Sequence, residues 1–254
     1  TEASKVDVTD AAVVISDADF NATNNNVTIA ASALKNIGNA TTGTVSVTNA
    51  VKITGSQSDA TAALVTEASK VDVTDAAVVI SDAAYNATNN NVTIAASDLK
   101  NIGNATTGTV TLTNAVKITG NQSDSTAALV TGGSKVVAGA ANTIANVTSA
   151  VTAAQGKDIA AASNIDAAFA GGVSDSTSNL YSTNNNAITT NFSAVKTEDT
   201  DVAVTISDAD FNATNNNVTI AATTLSGIGN ATTGTVTVTN AVKISGSQAQ
   251  ATAA

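Results

Sequence analysis

Residues 1–65 and 66–130 carry one 65-residue text twice, with differences at only seven positions: Asp19/Ala84, Phe20/Tyr85, Ala33/Asp98, Ser46/Thr111, Val47/Leu112, Ser56/Asn121 and Ala60/Ser125. A partial third copy runs from Val204 to Ala254, displaced by 191 residues from the first. Between them the pattern is degenerate, although "TNNN" at Thr183–Asn186 is still recognisable. Self-similarity at a fixed period marks chains whose units lie against their neighbours, because one short unit cannot bury its apolar face alone. The chain therefore divides into repeat 1 (1–65), repeat 2 (66–130), a degenerate repeat or insertion (131–201) and a partial repeat (202–254).

A shorter beat lies inside the repeat. Pairs of β-branched residues separated by one position recur at Val6/Val8, Val27/Ile29, Val45/Val47 and Val71/Val73, at spacings of 21, 18 and 26. The mean, about 22, is the size of one turn of a β-solenoid. Each turn has a second apolar pair: Val13/Ile15, Leu34/Ile37 and Val51/Ile53. Alternation with period two argues for strands with one face buried. The segment "SDATAALVTEAS" (Ser58–Ser69) opens on an N-cap residue and has helical spacing, so a short helix is expected there. "NATTG" (Asn39–Gly43) reads as a turn. The expected fold class is mainly β: a repetitive, continuous β-solenoid with about three short rungs per 65-residue repeat and short helical return segments.

Composition narrows the function. Aliphatic residues are abundant and proline is absent, which argues for an ordered chain. There is no cysteine, histidine, methionine, tryptophan or arginine. Without histidine and cysteine the chain lacks the commonest general base, the thiol nucleophile and the commonest soft metal ligands, which weighs against an enzyme. The net charge of −10 makes it a poor partner for nucleic acid. No segment has the roughly 18 consecutive apolar residues of a membrane span, so no membrane insertion is expected. The chain starts in mid-repeat and is expected to be a processed chain or a piece of a longer one.

Asparagine tolerates left-handed backbone and bonds its own main chain, so "NATNNN" is expected to be a corner feeding the strand "VTIAAS". Asn49, Asn114 and Asn240 share one repeat position and are candidates for a corner ladder. Phe20, Tyr85 and Phe211 share another and are expected to form a column of rings in a wide corner. Calcium is the candidate cofactor: Asp17/Asp19 and Asp208/Asp210 are spaced like ligand pairs, although Ala84 replaces the second acid in repeat 2. A solvated acidic corner is the default reading. Threonine rows at Thr44/Ser46/Thr48, Thr109/Thr111/Thr113 and Thr235/Thr237/Thr239 would suit an ice-binding face, yet threonine is also an ordinary strand residue on a wet face.

The cadence "TTGTVSVTNAVKITGSQ" (Thr41–Gln57), followed by the Ala-rich "SDATAALVTEAS", resembles the β-strand repeats of very long bacterial cell-surface or adhesin-like proteins of cyanobacterial and marine type. The resemblance covers most of residues 1–130 and 204–254. It implies an extracellular structural role, as a surface coat, stalk or filament subunit, that does not involve catalysis. Alternatives are an ice- or glycan-binding adhesin module and, at a virion surface, a phage fibre segment. The expected partners are copies of the same chain, end to end or laterally, or its continuation in a longer chain, with glycans as a further class.

Overall fold

The computed structural model describes residues 10–21, 28–66, 71–73, 75–88, 91–130, 135–214 and 218–254. It divides into two compact units: residues 1–118 with 127–143, and residues 119–126 with 144–254.

In the first unit the chain runs β1 (Val13–Ile15), β2 (Thr28–Ala30), α1 (Ala31–Ala40), β3 (Val45–Val47), β4 (Lys52–Gly55), α2 (Gln57–Leu64), β5 (Val71–Val73), β6 (Ala77–Ile80), β7 (Thr93–Ala95), α3 (Ala96–Ala105) and β8 (Val110–Leu112). The chain passes through β9 (Lys117–Gly120) and α4 (Gln122–Leu129), and β10 (Val136–Ala138) returns to this unit. Strands pair in parallel with the strand two along the chain, in the orders β1-β3-β5 and β10-β8-β6-β4-β2. In the larger sheet the register sets Ile29, Ile53, Val78, Val110 and Val136 side by side. From Ile53 to Val136 this row is no more than 9% exposed. Helices α1, α2 and α3 pack in succession against one another.

The second unit continues with β11 (Thr143–Val147), α5 (Ala153–Ala160), β12 (Ile165–Ala168), β13 (Val173–Asp175), α6 (Thr177–Leu180), β14 (Tyr181–Ser182), β15 (Ala187–Ile188), α7 (Thr190–Glu198) and β16 (Val204–Ile206). It ends with β17 (Thr219–Ala221), α8 (Ala222–Gly229), β18 (Val236–Val238), β19 (Lys243–Ser245) and α9 (Gln248–Ala253). Its sheets include the parallel β13-β16-β18 and β17-β19 and an antiparallel β14-β15 pair.

The expected mainly β solenoid is corrected by this architecture. The fold is α/β, with 19 strands in mostly parallel sheets and nine helices among the described residues, about 32% helix and 29% strand. The misreading has a local cause. Leu34 and Ile37, taken as a strand pair, stand three residues apart, which is helical spacing. They lie in α1, which buries Ala31, Leu34 and Gly38 on one face. The β-branched pairs that mark successive solenoid turns do not lie side by side in chain order either. Val45 does pair with Val71, but its other neighbour is Val13. The strand β2, which starts just after Val27, lies in the other sheet beside β4. Val6 and Val27 themselves lie outside the described residues. The short helix expected within Ser58–Ser69 is present as α2, but it starts at Gln57 and its N-cap is Ser56, earlier than the Ser58 or Asp59 that opens the expected segment.

Candidate functional site

The polar residues that recur with the repeat are spent on the main chain of neighbouring segments. In each "TTG", the threonine hydroxyl donates to a carbonyl about thirty residues earlier: Thr41 to Ala11 (2.5 Å), Thr106 to Ala76 (2.6 Å) and Thr232 to Val202 (2.7 Å). The same oxygen accepts from the glycine N–H two residues on, at 3.0, 3.0 and 2.9 Å. Glycine is required because the chains nearly touch: a Cβ on Gly43 would lie 2.4 Å from the Ala11 carbonyl oxygen, and one on Gly108 2.3 Å from that of Ala76.

The candidate asparagines follow the same rule. The side-chain amides of Asn49, Asn114 and Asn240 donate to the main-chain carbonyls of Asp17, Asp82 and Asp208, at 2.6, 2.7 and 2.5 Å. Each thus ties one segment to another. The expected corner is found at Asn86 and Asn212, whose side-chain oxygens accept from the N–H two residues on, both at 2.9 Å. In the first copy Ala22–Val27 lies outside the described residues.

Of the acids proposed for calcium, three have main-chain partners for their carboxylates. Asp19 accepts from Ala50 N–H (2.9 Å) and Asp210 from Ala241 N–H (2.8 Å). Asp208 accepts from the N–H of Thr177 (2.7 Å) and its hydroxyl (3.1 Å). The Asp17 carboxylate has no partner among the described residues. Among the described residues no three acids converge in a cluster able to hold a metal ion.

Asp208 belongs to a pattern the sequence did not disclose. The first N–H of a helix is left without an intrahelical partner. In four helices it is met by an oxygen from a later strand or its end: Gln57 by Asp82 (2.6 Å), Gln122 by Ser149 (2.8 Å), Ala153 by Asp175 (3.0 Å) and Thr177 by Asp208. The negative carboxylate also suits the positive end of the helix dipole. The residue before α2, α4 and α5 supplies an ordinary cap as well, and the Ser56/Asn121 exchange between copies keeps that function, whereas Ser176 before α6 makes no such bond.

The rings of Phe20, Tyr85 and Phe211 do not fill a core. They are half-buried, and each lies under a lysine ammonium: Lys52 at 4.9 Å, Lys117 at 5.4 Å and Lys243 at 5.4 Å from the ring centre. The threonine rows also separate. Thr111 stands in a mixed row with Thr54, Val79 and Val137. Thr205 stands between Thr237 and Ser174, giving a row of three hydroxyls.

Two further features lie in the second unit. Burial holds the Asp199 carboxyl above the usual carboxylate range, opposed by its bond from Phe169 N–H (2.7 Å) and reinforced by the neighbouring Asp201 charge. A cavity of about 380 Å³ is lined by Thr177, Tyr181, Thr183, Asn184, Thr189 and Thr224 among others. Thr224 is only 5% exposed, and its hydroxyl has no partner among the described residues. Tyr181 is 8% exposed and donates to the Asn186 side-chain oxygen at 2.9 Å. Sequence reading missed Tyr181 and Thr224 because nothing local joins two residues so far apart. Comparisons with protein-family models, with curated proteins and with solved structures gave no match.

Proposed function

We propose that this chain is a structural protein of the bacterial cell surface, without catalytic function, that associates with copies of itself in a coat, stalk or filament. One observation carries the reading. Polar side chains that recur with the repeat are assigned to matching main-chain partners: the threonines of "TTG" and Asn49 with Asn114 and Asn240 in three copies, and Asp19 with Asp210 in two. Repetition that preserves such ties preserves the joint between segments. The acidic charge keeps large assemblies soluble, and the resemblance of the repeats points to the surface of a bacterium. Negative-stain microscopy of the purified protein, with and without a chelator, tests this. Ordered multi-copy assemblies are expected in both conditions. Monodisperse single particles at every concentration would sink the proposal, and assemblies that disperse with the chelator would restore calcium to it.

A second reading, glycan binding, is favoured by the cavity beside Tyr181. It is of ligand-binding size, and it combines a ring with neutral hydroxyl and amide groups, the chemistry of a sugar site. On a glycan array a retained sugar is expected to be lost with Thr224→Val. Unchanged binding in that variant, or no binding by the wild type, would retire this reading.

A further inference from the structure

The same strand occurs in this molecule in a covered and in an open form. In the first copy β4 (Lys52–Gly55) lies between β2 and β6, with Lys52 opposite Ala77, Ile53 opposite Val78, Thr54 opposite Val79 and Gly55 opposite Ile80. Strand β19 is its counterpart in the third copy, displaced by 191 residues. It pairs with β17 through the same register as β4 with β2, and among the described residues that sheet has no third strand. The difference in burial is large. Ile53 is 0% exposed, whereas its counterpart Ile244 is 48% exposed. Ala60 and Ala63 of α2 are buried, but α9, the counterpart of α2, buries nothing.

The strand that would close this edge is also present in an open form. Residues Ala12–Ile15, "AVVI", are identical to Ala77–Ile80, the strand that covers β4. Strand β1 pairs with β3 as β6 pairs with β8, but β1 is the last strand of its sheet, and Val14 is 65% exposed. Among the described residues, no strand pairs with the side of β1 that matches the β4-facing side of β6.

We infer that two copies of this chain join head to tail, β1 of one adding in parallel to β19 of the other in the register of β6 on β4. That sets Ile244 opposite the partner's Val13 and Ser245 opposite the partner's Val14. The inference deepens the self-association proposed above and rests on it. It also gives Asp17 a role. Its counterpart Asp82 accepts from the first N–H of α2, and the Asp17 carboxylate, without a partner among the described residues, meets the first N–H of α9 in the next copy. Unpaired strand edges are templates for such addition. Because the two surfaces differ, the contact is heterologous and leaves a fresh edge at each end.

The chain has no cysteine, so the register can be read by cross-linking. Parallel neighbours stand about 4.8 Å apart, within the Cα separation a disulfide spans. Val14→Cys and Ser245→Cys proteins, mixed and oxidised, are expected to give a disulfide-linked pair. Either variant alone, and Val14→Cys mixed with Thr237→Cys, should give none. Sedimentation velocity should show the wild-type mass rising with concentration and the Ile244→Lys mass staying that of one chain. Ile244 is half exposed, so that variant keeps its fold. If the wild type associates but the Val14→Cys/Ser245→Cys pair does not link, or Ser245→Cys links with itself, this pairing is wrong and self-association by another surface stands. A wild type that remains a single chain at every concentration overturns both.

Discussion

The near-identical copies and the irregular stretch at residues 144–201 solve the problem of burial in opposite ways. In the copies, parallel strands of Val, Ile and Leu stand in register, and the aromatic position is left half-buried under a lysine. In the irregular stretch the rings go inside: Phe192 is 0%, Phe169 2% and Tyr181 8% exposed. Helices α5 and α7 pack together there. Gly156 makes room, since a Cβ on it would lie 2.6 Å from a Val195 methyl. Repetition thus constrains what a core can contain. A residue printed in every copy must suit every copy, and a large ring suits few places. The stretch without repetition is free to hold one-off partners.

The comparison breaks first at Phe192. Phe192→Ala should cost about 3–5 kcal/mol in urea unfolding followed by circular dichroism, as for other buried rings. Phe20→Ala, at a half-exposed ring, should cost under about 1 kcal/mol because only a lysine contact and partial burial are lost. Equal losses would show that the two regions do not differ as described. Next comes the close approach of two segments within one copy. Gly108→Ala forces a methyl into the Ala76 carbonyl and should cost about 1–3 kcal/mol, the range for overpacking.

A smaller effect is expected from removing one hydroxyl. Thr106→Val leaves the Ala76 carbonyl and the Gly108 N–H without their side-chain partner and should cost about 1–2 kcal/mol. Thr41→Val and Thr232→Val should match it, because all three make the same pair of bonds. A spread wider than about 1 kcal/mol would mean that the copies are not equivalent, since like contacts vary by that much or less.

The smallest effect concerns pH. Burial raises the Asp199 carboxyl, so the folded state binds that proton more tightly than the unfolded chain does. Its contribution to stability is present at low pH, where both states are protonated, and is lost as pH rises through the raised value. Asp199→Asn keeps an acceptor for Phe169 N–H and removes the charge. Its melting temperature should exceed the wild type's slightly at neutral pH and converge with it below about pH 4, the ordinary carboxylate range. A variant less stable than the wild type at neutral pH would refute the sign.

Much of the local structure could be read from residues. Alternation at Val13/Ile15 and Val45/Val47 marks β1 and β3, the Ala-rich run marks α2 although its cap is Ser56 and not the residue opening the expected segment, and Asn86 and Asn212 make the turns their chemistry favours. The helix at Ala31–Ala40 was legible too, in the spacing of Ala31, Leu34 and Gly38, but the neighbouring strand pattern was carried over it. The pairing of strands two apart was not legible. It depends on how helices of different length return the chain, and several valine pairs are equally good partners on local grounds. The candidate site fared similarly. The repeated aspartates pointed to something that recurs, but the N–H that each one meets is distant in the chain: 31 residues ahead for Asp19 and Asp210, and 31 residues back for Asp208.

That lag bears on how the molecule is made. Gln57 waits 25 residues for Asp82, Gln122 waits 27 for Ser149, Ala153 waits 22 for Asp175 and Thr177 waits 31 for Asp208. In these four helices the first N–H is met not by a residue that precedes the helix but by a segment still being translated. Maturation therefore trails synthesis by a near-constant interval, and a pause in translation holds the newest helix with its leading amide still turned to water.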